Sequence, residues 1–158
     1  ARYIESALNA HAAGTALPFA TIRTDTEAVV GTTRFMSAEY WTSPDGKPSD
    51  SVRPNAIEIG STWYRQSAQR SYVNTECKNL LLSHAFDTLN CIAVEFRTSS
   101  FNFKSRAAIE RLGAKLDGVL RSHQIVQNDI LRDTYVYSIL KSEWPAVQQH
   151  LRALLSKK

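Results

Sequence analysis

The stretch from residue 56 to residue 98 constrains the fold more than any other part of the chain. AIEIGSTWY (56–64) alternates well enough for a β-strand. Residues 65–74 are polar and contain no glycine. Residues 75–89 form the clearest helical pattern, with Leu80, Leu81, Leu82, Ala85, Phe86 and Leu89 on one broad apolar face. Asn74 or Thr75 supplies a natural N-cap, and Glu76 adds a carboxylate to the first turn. CIAVEFRT (91–98) opens on a nearly continuous apolar run, which suits a strand buried on both faces. Strand, turn, helix and strand make a βαβ unit, so the two strands are expected to be parallel with a right-handed connection.

The flanking segments extend this unit. Residues 4–13 read as a helix stopped by Gly14. Residues 18–24 and 28–36 read as an antiparallel hairpin turning at 25–27. Residues 37–55, with Pro44, Asp45, Gly46, Lys47 and Pro48, form a long polar loop, either a substrate-side lid or a plain variable loop. A second helix spans 102–112 and is stopped by Gly113. Strands at 115–126 and 131–140 meet at an Asn128–Asp129 turn. A final amphipathic helix, 144–155, carries Pro145 in its first turn. The expected class is α+β: a mixed sheet with helices on both faces, in one domain covering residues 1–158.

Composition sets the outer bounds. A chain of 158 residues is long enough for one domain with a real core. The net charge of +4 is modest for a nucleic-acid binder, and none is expected as a partner. Much of that charge lies at Arg152, Lys157 and Lys158, which read as a solvated helix end or a weak polyanion patch. No run of 18 apolar residues occurs, and no basic-then-apolar segment opens the chain, so neither a membrane nor export is expected. Cys77 and Cys91 are isolated and form no metal-binding spacing. A cytoplasmic, reduced protein without a metal is the simplest reading.

Several ordered blocks carry a family resemblance: EIGSTW (58–63), QRSYVNTECKNLLLSHAF (69–86), NFKSRAAIERLGAKLDGVLR (102–121), RDTYVYSIL (132–140) and EWP (143–145). The order β-β-loop-β-turn-α-β-α-β-β with these blocks resembles the GNAT superfamily of N-acetyltransferases, closest to its RimJ/RimL-like branch. The resemblance implies a mostly antiparallel sheet with a central splayed parallel pair. Family members normally begin with a strand and a helix ahead of the helix that opens this chain, so those N-terminal elements are expected to be missing here. It also implies acetyl-CoA as co-substrate, a primary amine as acceptor (a protein N-terminus or a small amine), and direct attack in a ternary complex. A homodimer is left open. The competing expectation is an acyl-CoA-binding module with little or no catalysis.

The resemblance also assigns residues. The turn Gln69, Arg70, Ser71, Tyr72, Val73, Asn74, leading into Thr75, holds the pyrophosphate. Helix N-termini favour anions because their first N–H groups lack internal partners. Arg70 and Tyr72 stand where the family often has glycines, and Arg70 offers a cation in exchange. The pantetheine arm is expected along the edges at 57–62 and 95–98. Asn102 and Arg106 are assigned to the cofactor, and Ser105 to protonation of the leaving thiolate. Asn102 and Ser105 read equally as helix-capping residues. The position where many relatives carry a tyrosine acid is Ile109. Glu58 is the candidate base, directly or through water; its alternative is a solvent-facing strand residue. His84 reads as structural, His123 as a weaker base candidate, and Arg132–Asp133 as an ion pair or part of the acceptor wall. Trp63, Trp41 and Trp144 read as packing residues, with Trp41 alternatively walling the acceptor site.

Overall fold

The computed structural model describes residues 2–46 and 52–156. Lys47 and Pro48 of the expected lid loop, and the terminal Lys157 and Lys158, lie outside the described residues.

Among the described residues, four α-helices and six strands follow in chain order. They are α1 (Arg2–Ala12), β1 (Ala16–Ile22), β2 (Val29–Glu39), β3 (Ala56–Tyr64), α2 (Val73–Ser83), β4 (Ala93–Ser99), α3 (Phe103–Arg111), β5 (Lys115–Ile125), β6 (Leu131–Leu140) and α4 (Trp144–Leu155). The sheet order is β1-β2-β3-β4-β6-β5. All neighbours are antiparallel except β3 and β4, which run parallel as a βαβ unit requires. The mixed α+β sheet expected from the sequence is therefore present.

The core lies on one face of the sheet. Phe35, Ile57, Ile59, Val94, Phe96, Tyr137 and Ile139 from the strands meet Leu82, Phe86, Ile109, Leu112, Trp144 and Leu151 from α2, α3 and α4. Fully burying each large apolar side chain contributes about 1.5–3 kcal/mol. Phe86 stacks on Trp144 with centroids 5.3 Å apart. Helix α1 covers the opposite face. There Arg34, whose neighbour Phe35 points into the core, lies over the ring of Tyr3 at 4.8 Å. Gly14 (φ +69°) and Gly113 (φ +98°) follow α1 and α3 in the left-handed conformation that suits a helix stop.

Three boundaries differ from the sequence reading. Helix α2 does not run evenly to Leu89; it widens into a π-turn at His84–Thr88, and Leu89 N–H bonds to His84 O at 2.9 Å. Strand β2 continues to Glu39, three residues into the expected loop, by forming a bulge at Ser37 (φ +50°). Strand β4 starts at Ala93 because Cys91 and Ile92 are tied to Ala85 and Asn55 by loop hydrogen bonds. Among the described residues no helix is long and apolar enough to cross a membrane.

Candidate functional site

Strands β3 and β4 pair over only three positions, Ala56↔Ala93, Ile57↔Val94 and Glu58↔Glu95. Beyond Glu58 and Glu95 they separate. A cause is visible in β3: two residues, Ser61 and Thr62, stand opposite Thr33 of β2, and Ser61 has φ +50°. Such a bulge bends and twists its strand. Tyr3 fixes it from the α1 side by donating its hydroxyl hydrogen to Ser61 O at 2.9 Å. The edges expected to be open from residues 57 and 95 are closed as far as Glu58 and Glu95. The open edges begin at Ile59 and Phe96. Between them lies a cleft of about 270 Å³, lined among others by Gly60, Thr62, Asn74, Lys78, Arg97, Asn102 and Ser105.

One end of this cleft meets the turn before α2. A 3-10 turn at Gln66–Ala68 precedes it, and Gln69 Nε2 donates to Tyr64 O at 2.9 Å. Arg70 adopts φ +56°, the left-handed conformation that glycine takes without cost. Ser71 Oγ donates to Ala68 O at 2.7 Å and accepts from Val73 N–H at 3.3 Å. Tyr72 occupies the N-cap position without a side-chain cap bond. Gln69, Arg70, Ser71, Tyr72, Asn74 and Thr75 line a second hollow of about 1040 Å³. Val73 is buried beneath them, packed with Val30, Tyr64 and Ala68.

Two cations that the sequence reading missed join this hollow. Lys104 and Arg111 of α3 line it with Ala107 and Ala108, and Arg111 Nη2 donates to Thr75 Oγ1 at 3.1 Å. Their spacing was the available signal, since 104, 107, 108 and 111 fall on one helical face. Small alanines between two cations leave that face open to a ligand. Arg70, Lys104 and Arg111 thus surround a helix N-terminus, an arrangement suited to a phosphorylated ligand.

The start of α3 borders the cleft. Asn102 is its N-cap, and Oδ1 accepts from Ser105 N–H at 3.1 Å. Asn102 and Ser105 both line the cleft. Arg106 is engaged elsewhere: its guanidinium lies 4.0 Å from the centroid of Tyr135, donates to Tyr137 Oη at 3.2 Å and donates to Ser100 O at 3.2 Å. Ile109, which carries no hydroxyl, is buried in the core.

Glu58 is buried and is not a solvent-facing strand residue. The Ser37 bulge brings Ser37 Oγ to Glu58 Oε2 at 3.2 Å, with the hydroxyl donating. Arg97 Nε stands 3.9 Å from the same oxygen. Burial raises the Glu58 pKa above the ordinary carboxyl value, opposed by Ser37 and Arg97. The carboxyl group overlies Gly60, where an added Cβ would lie 3.0 Å from Glu58 Oε1. Gly60 and Arg97 both line the cleft, so Glu58 adjoins it.

His84 stacks on Phe35 at 6.1 Å, and His123 Nδ1 lies 3.2 Å from Thr134 Oγ1. Asp133 accepts the Ser122 N–H at 2.7 Å, while Arg132 donates to Thr134 Oγ1 at 3.2 Å. Trp144 is buried, whereas Trp41 and Trp63 are exposed. Trp41 Nε1 donates to Glu39 Oε2 at 2.9 Å. Among the described residues no cluster of three His, Cys, Asp or Glu side chains could hold a metal ion.

Comparison with known proteins adds independent findings. A family model described as an acetyltransferase (GNAT) domain matches residues 1–115. Among solved structures, a GCN5-related N-acetyltransferase from Brucella melitensis is 32% identical, with a TM-score of 0.75 over 88% of this chain and 57% of that one. Mycobacterium smegmatis RimJ, solved in complex with CoA-disulfide, is 21% identical, with a TM-score of 0.72 over 95% of this chain and 65% of that one. The spermidine/spermine N-acetyltransferase SpeG from Vibrio cholerae is 15% identical, with a TM-score of 0.67 over 90% of this chain and 75% of that one. The last two share the fold alone. The chain spans just over half the length of the Brucella protein. Comparison with curated proteins finds no match.

Proposed function

Because this chain belongs to the acetyltransferase (GNAT) domain family, we propose that it transfers the acetyl group of acetyl-CoA to a primary amine by direct attack in a ternary complex. One observation carries the reading. The cleft between β3 and β4 shares Asn74, Lys104 and Ala108 with the cation-ringed hollow at the start of α2, and two of its lining residues, Gly60 and Arg97, adjoin the buried carboxylate of Glu58. The donor set fits the co-substrate, which supplies an activated thioester when bound. Arg70, Lys104, Arg111 and the first turn of α2 hold the pyrophosphate. The unpaired edges from Ile59 and Phe96 onward accept the amides of the pantetheine arm as an added strand would be accepted.

Glu58 then acts from the α1 face of the sheet. Its carboxylate takes a proton from the acceptor ammonium, directly or through one water, so that a neutral amine attacks. Ser105, at the start of α3, protonates the departing thiolate. Arg97 orients Glu58 and Glu95 together, and Glu39 lies beyond them. Three carboxylates against one guanidinium favour an acceptor that arrives as a cation. A protein N-terminus, as in the RimJ-like reading, and a small amine both meet that requirement.

The runner-up reading is an acyl-CoA-binding module with little catalysis. The buried Ile109 and the non-glycine Arg70 in the turn favour it. Thiol release from acetyl-CoA, measured against a panel of peptides and polyamines, separates the two. Turnover with one acceptor class, lowered by Glu58→Gln and by Ser105→Ala, supports the transferase. Coenzyme A binding without turnover on any acceptor supports the module. Turnover untouched by both substitutions removes the roles assigned to those two side chains.

A further inference from the structure

Lys78 has no part in the scheme above, yet its setting is unusual. It lies in the second turn of α2 and is only 4% exposed. Its Nζ donates to Thr33 Oγ1 at 2.9 Å and to Thr62 Oγ1 at 2.6 Å. Thr33 passes its own hydroxyl hydrogen on to Gly60 O at 3.3 Å. Among the described residues no carboxylate forms an ion pair with Lys78. Buried charges are ordinarily paired, because removing an ammonium from water costs several kcal/mol. An ammonium also carries three N–H donors. Two are satisfied by the threonines, and among the described residues the third has no acceptor.

The position of Lys78 indicates what the third donor meets. Lys78 lines the cleft between β3 and β4 with Gly60, Thr62, Asn102 and Ser105, and does not line the phosphate hollow. It is four residues beyond Asn74, about 6 Å further along the helix. Phosphates held by the first turn of α2 and by Arg70, Lys104 and Arg111 already have their cations. The acceptors available at the depth of Lys78 are the neutral carbonyl oxygens of the arm. Burial lowers the Lys78 pKa to about 8, opposed by the neighbouring Cys77.

We propose that Lys78 is a cofactor-binding residue whose ammonium, aimed by Thr33 and Thr62, donates its third hydrogen bond to an amide carbonyl oxygen of the pantetheine arm. This rests on the acetyl-CoA reading above. It adds a contact that neither the phosphate turn nor the start of α3 provides.

Calorimetric titration of the wild type, Lys78→Met and Thr62→Val with coenzyme A and with adenosine 3′,5′-bisphosphate tests it. The second ligand keeps nucleotide phosphates and lacks the arm. Lys78→Met is expected to weaken coenzyme A binding by about tenfold or more, the scale of a hydrogen bond to a charged group, and to change the bisphosphate by less than about twofold. Thr62→Val loosens the aim of Lys78 without removing it, so a smaller loss of about threefold, again confined to coenzyme A, is expected. It provides the same test should Lys78→Met not fold. Equal weakening of both ligands, or no change in either, would show Lys78 to be only a tie between α2 and the β2–β3 pair. A wild type that binds no coenzyme A overturns the acetyl-CoA reading and this proposal with it.

Discussion

Arg97 Nε stands 3.9 Å from Glu58 Oε2 while Arg97 Nη2 holds Glu95 Oε2 at 2.8 Å, so one guanidinium serves two carboxylates on the acceptor face. Glu58 is pushed above the ordinary carboxyl range by burial first, and the Ser37 hydroxyl and Arg97 pull it back. A base works only when deprotonated, so kcat/KM should rise with pH through this elevated titration. Arg97→Met removes one downward pull and should move the acid limb to higher pH. Glu58→Gln should lower kcat about 100-fold, the usual scale for loss of a general base, and abolish that limb. A Gln variant with the wild-type pH profile would assign the limb to another group.

Arg70 makes opposing contributions to stability and to binding. Its φ of +56° is strained for a side chain with a Cβ, at roughly 1 kcal/mol. Arg70→Gly should therefore leave thermal stability unchanged or raise it, while removing a cation from the phosphate hollow. Arg70→Ala keeps the strain and removes the same cation. Both should weaken coenzyme A binding similarly, and the loss should shrink as salt is raised. Unchanged affinity in both variants would show that Arg70 points away from the ligand.

The sequence made the sheet legible because its signals are local. Alternation in 56–64, the leucine-rich face of α2 and the glycines after α1 and α3 each specify their element without distant help. The Ser37 and Ser61 bulges were not legible, because each depends on which residue of a partner strand faces it. They decide where β3 leaves β4 and where Glu58 sits. Lys78 was overlooked although Thr75, Lys78, Leu82 and Ala85 share one helical stripe, which places a lysine amid buried positions. Lys104 and Arg111 were missed for a different reason. Their significance arises only when α3 packs beside the start of α2.

Asn102 has two candidate jobs that substitution can separate. Its Oδ1 caps α3 through Ser105 N–H. Asn102→Ala should cost about 1 kcal/mol of unfolding free energy, the usual value of a lost N-cap. Asn102→Asp retains the accepting oxygen and should restore stability in chemical denaturation. If the amide NH₂ also holds the cofactor arm, the Asp variant stays stable while its KM for acetyl-CoA rises. Ser105→Ala keeps the capped N–H, so its effect should fall on kcat with stability unchanged. A stable Asp variant with wild-type KM would confine Asn102 to capping.

Lys78 also predicts how stability varies with pH. Its pKa falls from the ordinary 10.5 to about 8 in the folded chain, a difference of about 3 kcal/mol at roughly 1.4 kcal/mol per tenfold change in proton affinity. Between these two values the unfolded chain binds the extra proton, so unfolding takes up protons there. Stability from this group is present above pH 10.5 and is lost as pH falls through 8. Relative to Lys78→Met, the wild type should therefore gain stability steadily from pH 8 toward pH 10.5, approaching that ~3 kcal/mol. Below pH 8 the difference should level off. Titrations of groups that do not interact with Lys78 are common to both proteins and cancel in the comparison. Urea unfolding of both proteins at pH 7, 8, 9 and 10 measures it. Parallel curves across that range would mean that the buried amine is hydrated well enough to keep its ordinary affinity for the proton.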